Sequence, residues 1–402
     1  MDVRQKCHNC DAASLSAFYR VDNIPVHSCL LMPNREAALA YPHGDLQLGF
    51  CRSCGFIQNM LFDPSMHEYS TRYEETQGFS ARFRDFATAL AKRLIEKYNL
   101  RNKTILEIGC GKGEFLALLC ELGGNQGVGI DPSYIPERMH GAPGSRLTFI
   151  QDFYSEKYAH LTADFVICRH TLEHIQPTAS FMRKVRRSIG VRKDTIVFFE
   201  VPDMSRVLKE QAFWDIYYEH CSYFSLGSLA RLFRMTGFEV LDLAKDFDNQ
   251  YLLIEARPST GSNASSLPQE NDLEELTQDV KQFQQTFSDR VKAWKEMLGR
   301  IKDRGKKAVI WGSGSKAVAF LTTMGIRNEI EYVVDINPFK HGKFLAGTGH
   351  EIVAPQFLTQ YKPDVVVAMN PIYRNEIQHS LSGMHLPAKL LTVDGAMPTG
   401  VM

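Results

Sequence analysis

One glycine-rich loop between an apolar run and an amphipathic helix constrains this chain more than any other feature. The loop, Gly109-Cys110-Gly111-Lys112-Gly113, follows an apolar run that ends at Glu107. Glycines let the backbone turn tightly and approach a ligand closely. About twenty residues on, Asp131 ends the next strand-like run, where an acidic residue can accept hydrogen bonds from ribose. The sequence therefore predicts an α/β unit that binds a nucleoside.

Strand-like runs alternate with helical patterns between residues 80 and 258, and this alternation predicts a parallel sheet flanked by helices. The runs are 104–107, 128–131, 165–168, 195–199 and 252–256. A second α/β unit begins with the runs 307–311, 332–335 and 363–368. Between the two units, 259–266 has the composition of a linker and 272–304 the pattern of one long, polar helix.

Four cysteines form two pairs with the spacing of metal-binding knuckles. Cys7 and Cys10 enclose two residues, as do Cys51 and Cys54. Two thiolates from each tight turn suit one tetrahedral zinc ion, and four protein ligands leave no open coordination position. Residues 1–65 are turn-rich and have little core of their own, so we expect a structural zinc site there.

The loop from Glu107 to Gly113 resembles motif I of class I methyltransferases that use S-adenosylmethionine. The resemblance implies that the cofactor lies against Glu107, Gly109, Gly111 and Gly113, with Asp131 on the ribose hydroxyls and Asp152 beside the adenine amine. An NAD site is the main alternative, because its fingerprint also has glycines and a distal acid. Glu107 favours the methyltransferase interpretation, since a carboxylate repels a pyrophosphate but attracts a sulfonium that carries an ammonium group.

An aromatic segment from Phe213 to Phe224 contains Tyr217, Glu219 and His220. A histidine beside a carboxylate within apolar walls can act as a general base near neutral pH, and a tyrosine hydroxyl can donate to a developing oxyanion. Aromatic-rich segments also occur in ordinary cores, so composition alone leaves a packing role open.

Tyr217-Tyr218-Glu219-His220, with Tyr223-Phe224, resembles the Tyr-His-Glu-His motif of bacterial sugar C-methyltransferases, and this resemblance covers essentially the full chain. The fold that it implies is α/β. A zinc-binding domain would span 1–65, a Rossmann-like methyltransferase domain 66–258, a linker and long helix 259–305, and a second Rossmann-like, substrate-binding domain 306–402.

The same resemblance implies a mechanism. His220 would remove a proton from the carbon next to the ketone of a nucleotide-linked keto-sugar, and the enolate would attack the methyl group. Tyr217 and Glu219 would orient the substrate or the base, and Tyr73 lies in a segment that closes over the cofactor. His174 would face the same cleft, although its Leu-Glu-His-Ile run serves packing as readily.

The chain departs from that family at two places. Tyr218 replaces the usual histidine, and Asp248 to Leu252 stand where many members have Gly-Gly-Ser-Leu-Arg. A different methyl acceptor, such as another carbon, an oxygen or a nitrogen, therefore stays open on the same scaffold.

A second glycine loop, at 312–316, follows a strand-like run and leads into a helix. Backbone N–H groups at such a helix start can hold phosphate. The residues that we predict to bind the substrate nucleotide are Gly312, Gly314, Ser315, Lys316, Asn370 and Tyr373. Asp335 follows the loop at about the sequence spacing of the acidic residue that binds ribose in dinucleotide sites. A dinucleotide site and a purely structural loop are therefore the alternatives.

Charge and composition limit the partners. Lys plus Arg and Asp plus Glu number 46 each, and 44% of the residues are apolar, which argues against a nucleic-acid surface. The apolar runs are too short to cross a membrane, and nine cysteines suit a reducing compartment. We expect a cytoplasmic enzyme, monomeric or weakly homo-oligomeric, with a small-molecule substrate. An NAD-linked oxidoreductase or epimerase, and a zinc-bearing binding protein with an inactive methyltransferase fold, are the competing classes.

Overall fold

The computed structural model describes residues 5–66, 72–139, 146–261 and 265–395. Three residues of the predicted linker, 262–264, lie outside these ranges. Across the described ranges, no helix is both long and apolar enough to cross a membrane.

The N-terminal residues form short strands around the two cysteine turns. Their elements are β1 (Leu15–Pro25), β2 (Leu31–Met32), α1 (Arg35–Leu39), β3 (His43–Cys51) and β4 (Ile57–Asn59). β3 pairs antiparallel with both β1 and β4. The small sheet packs apolar side chains such as Phe18, Leu46 and Leu48 into a core that it shares with the rest of the chain.

The next unit alternates strands and helices, as the sequence predicts. Its elements are α2 (Ala81–Tyr98), β5 (Thr104–Ile108), α3 (Glu114–Gly123), β6 (Gln126–Ile130), β7 (Leu147–Ile150), β8 (Phe165–Arg169), α4 (Thr178–Ile189), β9 (Ile196–Pro202), α5 (Met204–Lys209), β10 (Ser222–Tyr223), α6 (Leu226–Met235), β11 (Phe238–Asp246) and β12 (Tyr251–Pro258). Seven of the strands form one sheet in the order β11-β12-β9-β8-β5-β6-β7. The pairs from β9 through β7 are parallel, whereas β12 runs antiparallel to both of its neighbours.

A long helix leads to the C-terminal unit. The elements are α7 (Leu273–Asp303), β13 (Ala308–Trp311), α8 (Ser315–Met324), β14 (Tyr332–Val334), β15 (Phe344–Leu345), β16 (Glu351–Val353), α9 (Leu358–Tyr361), β17 (Val365–Ala368), α10 (Arg374–Gly383) and β18 (Lys389–Thr392). α7 is the predicted polar helix, and its sparse apolar stripe, which includes Phe283 and Trp294, is buried. The sheet order is β18-β17-β13-β14-β16-β15-β2, with parallel pairs from β18 to β16.

Short 3-10 helices occupy several connections. They are Pro64–Met66, Pro136–Met139, Glu156–Tyr158, Leu172–His174, Phe213–Asp215, Pro268–Glu270, Pro338–Lys340, Pro355–Phe357 and Pro371–Tyr373. The turns Leu172–His174 and Phe213–Asp215 lie beside the cavity described below.

Strands cross between the three units. β10, from the first α/β unit, pairs with β4 of the small N-terminal sheet, and β2 adds to the edge of the C-terminal sheet by pairing with β15. The predicted mixed α/β class is confirmed. The N-terminal residues are tied to both α/β units by backbone pairing, and the chain segment between β1 and β2 runs where the three units meet.

Candidate active site

One cavity of about 1090 Å³ lies between the two α/β units. The loops after β5, β6 and β8 line one side, and the loops after β13, β14 and β17 line the other. Ligands bind at the carboxyl ends of parallel strands in folds of this kind, so the position is the expected one. This volume slightly exceeds the range of about 300–1,000 Å³ that is typical of a pocket for one drug-sized ligand, which leaves room for two adjacent ligands.

The first glycine loop follows β5 at the bottom of this cavity. Gly109 has φ +72°, and a Cβ there would lie 2.0 Å from the Thr171 hydroxyl oxygen. Gly113 has φ +85°, and its Cβ would lie 2.5 Å from the Phe149 ring. Only glycine fits either position, which explains the motif. Gly109 and Gly111 line the cavity, whereas Gly113 begins α3 behind it.

Asp131, at the end of β6, organises that loop. One carboxylate oxygen accepts from the Gly111 N–H at 2.8 Å, and the other accepts from the Ser133 N–H and hydroxyl at 2.7 Å. Lys112 also lines the cavity, and its buried ammonium donates to the Tyr73 and Ser133 carbonyls. Asp131 and Tyr73 both line the cavity where we predicted cofactor contacts.

Glu107 lies beneath the loop with only 2% of its surface exposed. Burial raises the pKa of its carboxyl to about 8; the nearby Arg169 charge opposes this shift and Asp131 adds to it. Its Oε2 atom has no hydrogen-bond partner among the described residues. A buried carboxylate oxygen without a donor favours a cation in the adjoining space. The chemistry of this position therefore fits the positively charged methionyl part of S-adenosylmethionine.

Two cavity residues beside the loop were missed by sequence reasoning. Glu75 lies so close to Gly111 that a Cβ there would be 2.8 Å from its carboxylate, and Phe153 is 59% exposed on the cavity wall. Phe153 takes the place that we predicted for Asp152. Asp152 does not line the cavity, because its carboxylate is held outside by Lys157 and Tyr158. A one-residue change at a strand end reverses the direction of a side chain, and the sequence does not reveal that choice.

The predicted catalytic residues come together beside the loop that follows β8. The ring of His220 lies 4.6 Å from that of His174 and 4.1 Å from that of Tyr217, measured between centroids. His174 Nδ1 is 3.1 Å from the Glu219 carbonyl oxygen. Because a carbonyl only accepts, Nδ1 carries the hydrogen and Nε2 of neutral His174 is an acceptor. Tyr217, His174 and His220 line the cavity.

Glu219 lies behind this wall with 1% of its surface exposed. Burial raises the pKa of its carboxyl to about 7, while donors from Ser28 oppose the shift. Tyr218, the first departure from the family motif, also faces away from the cavity: its hydroxyl accepts from the Asp63 N–H at 2.9 Å. This departure from the family motif therefore lies outside the cavity lining.

A charged group lies next to the histidines. His170, at φ +49°, has Nε2 2.6 Å from a Glu200 carboxylate oxygen, and Arg169 binds the same carboxylate through two N–H groups. Burial lowers the pKa of His170, but Glu200 and Glu173 outweigh burial and raise it to about 9. His170 is therefore a cation at neutral pH and is not available as a base.

All six predicted substrate residues line the cavity. Several already have protein partners. Lys316 pairs with Asp215, Asn370 exchanges two 3.0 Å hydrogen bonds with Gln250, and the Tyr373 hydroxyl donates to Gln77 at 3.0 Å. Gln250 belongs to the second departure from the family, so this departure changes the cavity wall and the contact between the two units.

The acidic residue that follows the second glycine loop, Asp335, is hydrogen-bonded to the loop itself. Asp335 accepts from the Ser313 N–H at 3.0 Å and from its hydroxyl, and the buried Lys340 ammonium lies 3.4 Å away. Gly314 precedes α8, and the Ser315 hydroxyl at the start of that helix lies 3.1 Å from Cys29 Sγ.

The four knuckle cysteines form one cluster outside the cavity. Their Sγ atoms all lie within 4.8 Å of one another, with Cys7–Cys54 at 3.6 Å and Cys10–Cys51 at 3.7 Å. The edge of a tetrahedral zinc–thiolate site is about 3.8 Å, from Zn–S bonds of about 2.3 Å, so the donor set fits zinc. A second set of potential ligand atoms, on Glu173, His174 and His220, lines the cavity.

Comparison with known proteins agrees with this arrangement. Residues 78–243 match a methyltransferase domain model, and residues 255–387 match the model of the C-methyltransferase C-terminal domain. The chain is 28% identical over 290 residues to the C-methyltransferase NovU of Streptomyces niveus, covering 68% of this chain and 67% of that protein.

Two solved structures have weaker likeness. The magnesium protoporphyrin IX methyltransferase of Synechocystis PCC 6803 with bound SAH is 17% identical, covers 44% of this chain and 84% of its own, and has a TM-score of 0.35. The 1,6-didemethyltoxoflavin-N1-methyltransferase of Burkholderia thailandensis is 18% identical, covers 51% and 96%, and has a TM-score of 0.36. The two family models, by contrast, together match residues of both α/β units, the two units that line the cavity.

Proposed function

This chain belongs to the C-methyltransferases that use S-adenosylmethionine, and we propose that it methylates the carbon next to the ketone of a nucleotide-linked keto-sugar. One observation carries the proposal. The His220, His174 and Tyr217 group lines the same cavity as the Glu107 loop, and the second α/β unit lines the other side of that cavity. Residues suited to proton removal, to cofactor binding and to acceptor binding thus share one space.

The residues around the first glycine loop suit cofactor binding. Bound S-adenosylmethionine supplies an electrophilic methyl group on a sulfonium. Gly109 and Gly111 would let the backbone approach it, Asp131 would accept from ribose hydroxyls, and the Glu107 carboxylate would supply negative charge for its cationic methionyl part. Phe153 offers an exposed ring for the adenine face.

The residues around His220 suit enolate chemistry. His220 accepts the proton from the acceptor carbon, and His174 lies against it with Nε2 as an acceptor. Burial raises the pKa of Tyr217 well above its ordinary value, so this hydroxyl keeps its hydrogen and donates to the oxygen of the developing enolate. The nucleotide part of the acceptor would lie against Gly312, Gly314 and Ser315, at the start of α8.

We propose the four-cysteine cluster as a structural zinc site. It lies away from the cavity, and its surroundings tie it to the first α/β unit: Asn9 donates to the Ser228 carbonyl, and Thr178 donates to the His8 carbonyl. The nine cysteines, all free of disulfides, suit the reducing, cytoplasmic setting that we propose for the enzyme.

Hydrogen exchange tests the carbon-acid mechanism. The protein with bound S-adenosylhomocysteine, which cannot donate methyl, is incubated in D₂O with a nucleotide-linked keto-sugar, and deuterium beside the ketone is followed by NMR. We expect exchange with the wild type and with His160→Ala, an exposed histidine, and at least a 100-fold slower rate for His220→Ala, on the order of a lost general base. Exchange that His220→Ala leaves unchanged, or methylation of oxygen or nitrogen in the full reaction, would overturn the proposal.

A further inference from the structure

The chain segment between β1 and β2 enters the wall that carries the histidines. Val26, His27 and Ser28 are all buried, at 0%, 0% and 3% exposure, and Cys29 lines the cavity itself. This segment belongs to the N-terminal part of the chain, and Ser28 and Glu219 are 191 residues apart in sequence. Buried polar side chains at such a junction need partners.

The partner of this segment is the Glu219 carboxylate. The Ser28 backbone N–H donates to Glu219 Oε1 at 2.9 Å, and the Ser28 hydroxyl donates to the same oxygen. His27 Nδ1 lies 3.6 Å from that oxygen. Glu219 Oε2 has no hydrogen-bond partner in the described part of the chain. One oxygen of the carboxylate is thus held entirely by the N-terminal segment.

The position of Glu219 matters for both histidines. Its carbonyl oxygen receives the Nδ1–H of His174, and its backbone leads directly into His220. A shift of the Glu219 side chain would therefore disturb the hydrogen that sets the tautomer of His174 and the direction of the His220 ring. Ser28 fixes that side chain from outside the motif.

Ser28 also influences the charge of Glu219. Burial raises the pKa of the carboxyl to about 7, and the two Ser28 donors oppose this rise because they bind the ionised form. The groups that face the carboxylate are His27 and Cys29 from the N-terminal segment, and Tyr217 and Tyr223 from its own segment. The Ser28 hydroxyl is a neutral donor to this carboxylate, and the small substitution Ser28→Ala removes it.

We propose that Ser28 is a positioning residue for proton transfer, which holds the Glu219 carboxylate in place behind the His174–His220 pair. The N-terminal unit thereby takes part in catalysis and is more than a zinc-bearing support. The inference rests on the proposed function, in which His220 removes the proton.

The test is the pH profile of kcat with a nucleotide-linked keto-sugar. Loss of the Ser28 hydroxyl raises the pKa of Glu219 further, so the acidic limb of the profile moves to higher pH. For Ser28→Ala we expect kcat about tenfold lower at pH 6.5 and within about threefold of wild type at pH 8.5, the size of one charge-assisted hydrogen bond. The Kd for S-adenosylmethionine stays unchanged, because Glu219 does not line the cavity.

Two further variants separate positioning from packing. Ser28→Thr keeps a hydroxyl and should show the wild-type profile. Ser28→Val places a side chain of nearly the shape of threonine there without the hydroxyl, and should behave like Ser28→Ala. Ser16→Ala, on β1 and outside the cavity lining, is the control and should match wild type. Circular dichroism and the melting temperature report the folding of each protein.

The outcomes are distinct. Loss of activity by the same factor at every pH, or Thr and Val variants that behave alike, would overturn the role of Ser28. A wild-type profile for Ser28→Ala together with an inactive His220→Ala would refute this inference and leave the proposed function standing. Full turnover by His220→Ala would remove the proposed function, and the inference with it.

Discussion

We expect the affinity for S-adenosylmethionine to depend on pH through Glu107. In the free protein its carboxyl is 2% exposed and has a pKa of about 8, raised mainly by burial. It is therefore protonated at pH 6, whereas a bound sulfonium and ammonium favour the carboxylate. Binding at low pH must release this proton, so the affinity rises as the pH approaches 8.

The magnitude follows from the pKa. If the bound cofactor holds the carboxyl ionised down to pH 6, the Glu107 contribution to affinity grows roughly 20-fold between pH 6.0 and 7.5, or about 1.8 kcal/mol. The comparison stops at pH 7.5 because the α-amino group of free S-adenosylmethionine titrates near about 7.7–8.0. Glu75, whose pKa burial raises to about 7, contributes in the same direction.

Isothermal titration calorimetry at pH 6.0 and 7.5, in buffers of different ionisation enthalpy, gives both the Kd and the protons released. Glu107→Gln should lower the ratio of the affinities at the two pH values by roughly 20-fold and remove one released proton. Glu121→Gln, on the exposed face of α3, is the matched control and should keep the wild-type ratio.

Stability distinguishes lost binding from misfolding. Because the folded pKa of Glu107 lies above the ordinary glutamate value of 4.5, the folded protein binds more protons than the unfolded chain between pH 4.5 and about 8. The wild type therefore loses stability as the pH rises through that window, and Glu107→Gln avoids this loss. We expect a melting temperature at pH 7.5 no lower than that of wild type. A well-folded variant whose affinity ratio equals the wild-type ratio would refute the reasoning.

Two further predictions concern Tyr217 and the cysteine cluster. Tyr217→Phe should lower kcat about 100-fold, the usual cost of one oxyanion donor, without changing the Kd for S-adenosylmethionine; steady-state kinetics with calorimetry check it, and an effect on KM alone would contradict it. Cys51→Ala should abolish the bound zinc and lower the melting temperature, whereas Cys120→Ala, buried in α3, should keep one zinc per chain. Elemental analysis measures both, and equal zinc in the two variants would contradict the assignment.

Features that depend on local sequence were predictable. The glycine loop, the alternating strands and the long helix α7 each follow from a short-range pattern of glycine or apolar residues. The gathering of Tyr217, His220 and His174 on one wall followed from family resemblance, because nothing in the residues themselves brings positions 174 and 220 together.

Long-range contacts were beyond the sequence. The pairing of β2 with β15 and the contact of Ser28 with Glu219 join distant segments, and a buried serine carries no local signal of its partner. Lys316 was predicted to bind phosphate from its place in a glycine loop. Its pairing with Asp215, which is also held by Arg206, becomes visible only when the two units are packed together.

The two glycine loops both precede a helix but differ in electrostatics, and this difference favours the first loop as the ribose site. Asp131 accepts only neutral donors, from Gly111 and Ser133, so in the described chain no cation neutralises it and its remaining lone pairs suit ribose hydroxyls. Asp335 is paired with Lys340, which is 6% exposed and whose pKa Asp335 raises against the effect of burial. Ribose hydroxyls at Asp335 would have to share its carboxylate with Lys340 and with the Ser313 donors. The second loop therefore lacks the free acid that a dinucleotide needs, and its exposed features are the backbone and hydroxyls at the start of α8, which suit phosphate. The electrostatics therefore favour the first loop for the adenosine cofactor, and we propose that the phosphates of the acceptor lie at the second.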